Sequence, residues 1–156
     1  MPTPLDGLAG VTNAYEALPD LYTGGQPSAR HLEALRDTGV ETILDIRDPL
    51  EARPFDEPAT ARALGLNYVN VPVSAGVLND ETLERVLGVV RAHEGKRLFF
   101  HCASANRVGG ALIPYLMMDR GMSQDDAVSL AMRVGLRGAD LLEWGLEYAR
   151  RKLAGE

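Results

Sequence analysis

Residues 101–110 read His-Cys-Ala-Ser-Ala-Asn-Arg-Val-Gly-Gly, and Cys102 is the one cysteine of the chain. A thiol attacks or binds metal only as a thiolate, so its surroundings decide whether it reacts. The backbone amides of Ala103, Ser104, Ala105, Asn106 and Arg107 can curl into an anion nest. A helix starting near Arg107 directs its positive end at the same place. Arg107 adds a permanent charge in a planar fork suited to tetrahedral oxyanions. Gly109 and Gly110 let the helix start pack closely under the loop. His101 fits an orienting role through hydrogen bonds better than a proton-transfer role. The competing reading makes Cys102 a small buried hydrophobe. The order of strand, loop, arginine and helix favours a reactive thiolate.

The elements around this loop alternate between strand and helix. Residues 21–23 form a short strand ending at Gly24-Gly25. Pro27-Ser28 opens a helix with Leu32 and Leu35 on one face, closed by Gly39. Residues 42–46 (TILDI) and 67–73 (NYVNVPV) read as strands. Between them lies a charged, proline-rich loop over 47–58, then a short helix to Leu64 stopped by Gly65. Asn79 or Asp80 suits an N-cap, and Leu83, Val86, Leu87 and Val90 follow at helical spacing. Residues 97–101 (RLFFH) form a short strand buried on both faces. From Arg107 the chain is helical: one helix to about Arg120, kinked at Pro114; a second from Ser123; a third carrying Leu142, Leu146 and Leu153. The pattern predicts an α/β fold, a small, mainly parallel sheet flanked by helices with an all-helical C-terminal third. In such sheets the active site lies at the carboxyl ends of the strands, where Cys102 falls.

The chain has 156 residues, which fits a single domain over 1–156. A net charge of −6 and the lack of a basic stripe argue against nucleic acid. No apolar run is long enough to span a membrane. The first ten residues lack a basic and apolar leader, and the lone cysteine excludes an internal disulfide; both point to the cytoplasm. The scattered histidines lack metal-ligand spacing, so no metal and no cofactor are expected.

With these residues in hand, the chain resembles the cysteine-dependent tyrosine and dual-specificity phosphatase superfamily, whose signature is His-Cys, five residues, Arg. It is most similar to the bacterial phosphatase-like branch that also occurs fused to metallo-β-lactamase-type hydrolases of sulfide metabolism. The likeness covers about residues 20–150. It rests on the loop, on Gly25-Gln26-Pro27, on the strand end Ile46-Arg47 and on Pro72-Val73. By resemblance, Cys102 is the covalent nucleophile, Arg107 binds the oxyanion, and the amides from Ala103 to Arg107 line the site. Gln26 shapes the pocket or serves as a turn residue bonded to backbone. Arg47 supplies a second positive charge or a salt bridge to Asp48 or Glu51.

Three departures bear on the reaction. Cys102 to Arg107 spans six residues, one fewer than the phosphatase signature and the same as the shorter loop of rhodanese-type sulfurtransferases. The related phosphatases place an acidic residue after the Pro-Val strand; here residues 74–76 read Ser-Ala-Gly. Asp80 is the nearest carboxylate, better explained as a cap, while Asp48 and Asp45 are possible substitutes for the general acid. Val108 replaces the hydroxyl residue that usually follows the arginine. These losses hurt phosphate-ester hydrolysis more than sulfur transfer, whose leaving group is already a stable anion. The leading expectation is therefore transfer of sulfur from thiosulfate or a persulfide to a thiol acceptor through a Cys102 persulfide. The first alternative is a tyrosine or dual-specificity-type phosphatase acting on a phosphorylated substrate. The second is a non-catalytic module binding phosphate or sulfate. Fold alone does not decide among them.

Overall fold

The computed structural model describes residues 1–74 and 76–156. Its strands are β1 (Tyr15–Leu18), β2 (Leu21–Gly24), β3 (Thr42–Asp45), β4 (Asn67–Asn70) and β5 (Leu98–His101), joined in one sheet in the order β1-β2-β5-β3-β4. β5 sits between β2 and β3 and is parallel to both, β3 and β4 are parallel, and β1 is antiparallel to β2. The mainly parallel sheet expected from the pattern is present. β1 is an addition: its four residues, Tyr-Glu-Ala-Leu, carry no β-branched run to mark them as a strand.

Alternation along the central strands divides the core in two. Tyr22, Ile43 and Phe99 face helices α1 (Pro4–Gly7), α2 (Ala29–Asp37) and α3 (Glu57–Ala63). Leu44, Leu98, Phe100 and Cys102 face α4 (Asp80–Ala92), α5 (Asn106–Pro114), α6 (Gln124–Val134) and α7 (Ala139–Leu153). With both faces covered, Leu98 to Phe100 are at most 2% exposed. At roughly 25 cal/mol per Å² of apolar surface removed from water, the Phe99–Phe100 pair anchors the strand that delivers Cys102.

Caps fix the helix starts. The Ser28 hydroxyl accepts from the His31 amide, Asn79 from the Thr82 amide, and Ser123 from the Asp126 amide. The cap of α4 is thus Asn79, and Asp80 is its first helical residue. The expected kink at Pro114 takes the form of a register change: a π turn, Tyr115–Asp119, continues the helix. In α7 the expected leucine face needs correction. The buried stripe is Leu141, Trp144, Gly145, Leu146, Tyr148 and Ala149, while Leu142 is half-buried and Leu153 is 58% exposed. Small residues set this phase, because a Cβ on Gly145 would lie 2.2 Å from the Gly110 carbonyl oxygen of α5. Among the described residues, no helix is long and apolar enough to cross a membrane.

Candidate active site

Cys102 follows the last residue of β5, and its neighbours fold the next residues into a tight cradle. Gly25 forms an antiparallel bridge with Ser104, and the Gln26 amide donates to the Ala103 carbonyl at 3.1 Å. A Cβ on Gly25 would stand 2.4 Å from that carbonyl oxygen, so only glycine fits there. Asn13 Nδ2 donates to the Ser104 carbonyl at 2.8 Å, and the Gly109 amide donates to the Ala105 carbonyl at 3.0 Å. Each of these carbonyls is drawn away by a donor, while most amides of residues 103 to 107 donate to no acceptor among the described residues. Backbone N–H groups left without an acceptor among the described residues make an anion site. Ala105 caps α5 in the left-handed region at φ 72°. Gly135 makes room for its methyl, since a Cβ there would lie 3.0 Å from that of Ala105. Asn106 turns its side chain away from the cradle: Oδ1 accepts from the Arg137 and Gly138 amides. Arg137 spends its Nη1 on the Met132 and Leu136 carbonyls.

Arg107 is held from behind. Its Nη1 donates to Glu51 Oε2 at 2.7 Å and to the Val73 carbonyl at 3.1 Å, and its Nη2 to Glu51 Oε1 at 3.0 Å. Glu51, and after it Cys102, raise the Arg107 pKa above the ordinary arginine value despite burial. The same interaction with Arg107 pulls the Glu51 carboxyl down from 4.5 to about 2. From Glu51 a chain of hydrogen bonds runs round the loop. Arg47 Nε donates to Glu51 Oε1, Arg47 Nη1 to Gln26 Oε1, and Gln26 Nε2 to Glu57 Oε1. Glu57 Oε2 lies 2.6 Å from His101 Nε2, and His101 Nδ1 lies 3.0 Å from the Cys102 carbonyl oxygen. Complete burial pulls the His101 pKa down, but Glu57, then Asp45 and the Cys102 carbonyl, raise it overall.

Against this geometry, a family model described as a DSP-PTPase phosphatase fused to NAD+ kinase matches residues 11–142. The chain belongs to this DSP-PTPase family. A protein of Cupriavidus necator named "Putative tyrosine-protein phosphatase" is 28% identical over 175 aligned residues, covering 91% of this chain. The chain spans 63% of that relative's length. A solved structure of a phosphatase-like protein from Shewanella putrefaciens superposes with a TM-score of 0.77 at 19% identity, over 94% of this chain and 97% of that one. TpbA of P. aeruginosa, solved as a Cys-to-Ser form in complex with pTyr, superposes with a TM-score of 0.66 at 21% identity, over 88% of this chain and 90% of that one. The structural likenesses carry the fold. The family match and the curated relative favour the phosphatase alternative over the sulfur transfer expected first.

In this DSP-PTPase chain the carboxylates expected as general acids are placed differently from one another. Asp80 pairs with Arg151 at 2.7 Å on the α4–α7 side, in a hollow with Trp144 and Glu147 that excludes Arg107. Asp45 is fully buried, with Oδ2 bonded to Arg53 and Tyr68 and Oδ1 to the Arg47 amide. Asp48 lies near Arg107, and the Ser74 hydroxyl and the Leu50 amide hold it below the usual carboxylate range. Ser74 therefore serves Asp48, while Ala75 lies outside the described residues. Val108 is fully buried in the core. A hollow of about 240 Å³ beside Arg107 is lined by Asn106, Val73, Leu78, Leu141 and the exposed Asp140. Asp140, Glu57, Arg53 and Asn13 were not singled out by sequence, and Glu51 only as a salt-bridge partner of Arg47. One signal was present for Glu57: Asp56 caps α3, with Glu57 and Pro58 in its first turn. Asp45, Glu57 and His101 bring one ligand-type atom each within 4.8 Å of the others. Every carboxylate oxygen of that cluster already accepts a protein donor.

Proposed function

We propose that this chain is a cysteine-dependent phosphatase for aryl phosphate monoesters of the phosphotyrosine kind. The observation that carries the reading is the cradle itself: loop amides without an acceptor among the described residues, closed by Arg107 in the grip of Glu51. The Cys102 thiolate attacks phosphorus, and the bond to the ester oxygen breaks as the sulfur–phosphorus bond forms. Charge gathers on the equatorial oxygens, where the amides and the Arg107 fork meet it. Water then attacks the phosphocysteine, releasing phosphate and restoring the thiolate. The aryl preference follows from the proton donor. Asp48 is held as an anion, so a leaving group must depart with little protonation. A phenol, with a pKa of about 10, leaves far more readily than an alkyl alcohol.

Sulfur transfer keeps the support of the four residues between Cys102 and Arg107 and of Val108 in place of a hydroxyl residue, and one experiment separates the readings. The protein is incubated with an aryl phosphate and, separately, with thiosulfate, and Cys102 is followed by intact mass. Phosphate release that is lost in Cys102→Ser supports the phosphatase. An added sulfur atom with sulfite release, and no phosphate release, overturns it. Protection of Cys102 from alkylation by phosphate, with no turnover of either compound, leaves a binding module. We further infer a single domain and a cytoplasmic setting, the latter on one unpaired thiol.

A further inference from the structure

We propose that the exposed face of α7 leading away from the cradle is a substrate groove, which receives basic residues flanking the phosphorylated tyrosine of a peptide segment. The inference rests on the phosphatase reading and names its substrate class. The hollow beside Arg107 does not end at Asp140. A second hollow of about 270 Å³ shares Leu78 and Asp140 with it and continues past Glu143, Trp144 and Glu147. Along α7 the three acidic residues are three and four positions apart, so they share one face of the helix. At about 1.5 Å of rise per residue, Glu147 lies about 10 Å beyond Asp140. An extended chain covers that distance in about three residues. Residues close to a phosphotyrosine held in the cradle therefore reach this face.

Charge decides what fits there. Among the described residues lining the second hollow, the single cation is Arg151, and it is committed. It donates from Nη1 and Nη2 to the two Asp80 oxygens at 2.8 and 2.7 Å. Arg151 stands four positions after Glu147, where a helical partner would sit, but its fork is turned to Asp80 instead. Asp140, Glu143 and Glu147 are exposed, and among the described residues none of them forms an ion pair. Asp140 Oδ1 accepts only the Leu141 amide beside it, at 2.9 Å. Three like charges on one helix face repel one another, and a cation laid along them relieves the repulsion. Trp144, held by its indole N–H on the Asn79 carbonyl at 3.0 Å, adds an aromatic ring to the same lining. Acidic flanking residues would meet repulsion instead, which sharpens the choice. Near Arg107, Leu50 and Val77 are 95% and 62% exposed, on loops joined by the Asp48–Ser74 bond. Open apolar side chains there, with a charged run beyond, suit a chain laid across the mouth rather than a small ester held inside it.

Phosphotyrosine peptides test the proposal, with arginine, alanine or glutamate at the second and third positions on both sides of the tyrosine. Phosphate release gives kcat/KM for each, and binding to Cys102→Ser gives affinity without turnover. At low salt the basic peptide should exceed the neutral one about 5-fold, through KM, and the acidic one should fall below it. At about 1 M salt the spread should close to within about 2-fold. Glu143→Gln with Glu147→Gln should remove the preference, and Glu143→Lys with Glu147→Lys should reverse it. Should the lysine pair fail to fold, the glutamine pair decides. Glu33→Gln with Glu41→Gln takes the same charge from exposed positions elsewhere and should leave the preference in place. Equal kcat/KM for all the peptides, or an equal loss of preference in both glutamine pairs, overturns the proposal and leaves the phosphatase reading standing. No phosphate release from any peptide sinks the phosphatase reading. The Cys102→Ser affinities then decide the groove: an order of basic over neutral over acidic supports it, and no order overturns it.

Discussion

Replacing Glu51 by Gln tests the support behind the arginine. Glu51 accepts four hydrogen bonds: Oε2 from Arg107 Nη1 and the Asp48 amide, Oε1 from Arg107 Nη2 and Arg47 Nε. Its carboxyl is drawn down from 4.5 to about 2, chiefly by the bonds from Arg107 and against the effect of burial. At about 1.4 kcal/mol per pH unit, that displacement sets a ceiling of about 3 kcal/mol. The side chain is 30% exposed, so solvent screening brings the expected loss to about 1–2 kcal/mol. A depressed pKa stabilises the fold fully above the unfolded value of 4.5, and the gain disappears as pH falls through about 2. Denaturant unfolding of wild type and Glu51→Gln at pH 7, 5.5 and 3.5 measures this directly. The gap between them should be equal at the two higher values and smaller at the lowest. A gap below about 0.3 kcal/mol at pH 7, or one as large at pH 3.5 as at pH 7, would refute the reasoning.

Aryl phosphates made from phenols of rising pKa should turn over progressively more slowly, with alkyl phosphates nearly inert; equal rates across the series would mean an efficient proton donor is present. Arg107→Lys keeps the charge but loses the fork, and kcat/KM for an aryl phosphate should fall about 10²-fold or more. Gly25→Ala forces a Cβ toward the Ala103 carbonyl and should destabilise the protein by about 2 kcal/mol or displace the loop, read by thermal unfolding together with phosphate release. Asp80→Asn should change stability by less than about 1 kcal/mol and leave turnover unchanged, whereas a marked fall in kcat would reinstate Asp80 as the acid.

What the sequence made legible depended on local pattern. β5, the loop and α5 were readable because an apolar run, a cysteine, an arginine and a Gly-Gly pair follow one another directly. The leucine face of α7 was misread because its phase is set by Gly145 lying against Gly110 of α5, and a glycine leaves no hydropathy signal. Glu51 and Glu57 sit in a charged, proline-rich stretch without periodicity. Their partners are 56 residues away at Arg107 and 44 away at His101, so only the fold brings them together. Gln26 was read as either a pocket residue or a turn residue bonded to backbone; it bonds the Pro27 carbonyl, Glu57 and Arg47 at once, so the turn role is present and is joined to two charged side chains that sequence could not supply. The reading of Arg47 as a salt-bridge partner of Glu51 was also available, and the 3.2 Å contact matches it.

The near-touching backbones at Gly110 and Gly145 bear on how this unit can be cut or joined to others. The stretch matched by the family ends at residue 142, inside α7, whereas the glycine that admits α5 lies three positions later. A recombinant domain trimmed at 142 would lose that seat and uncover the helix whose first turn closes the cradle. Any chimera made with this unit must carry α7 through at least Ala149, and a linker should begin only after Leu153, where the helix face has turned outward to solvent.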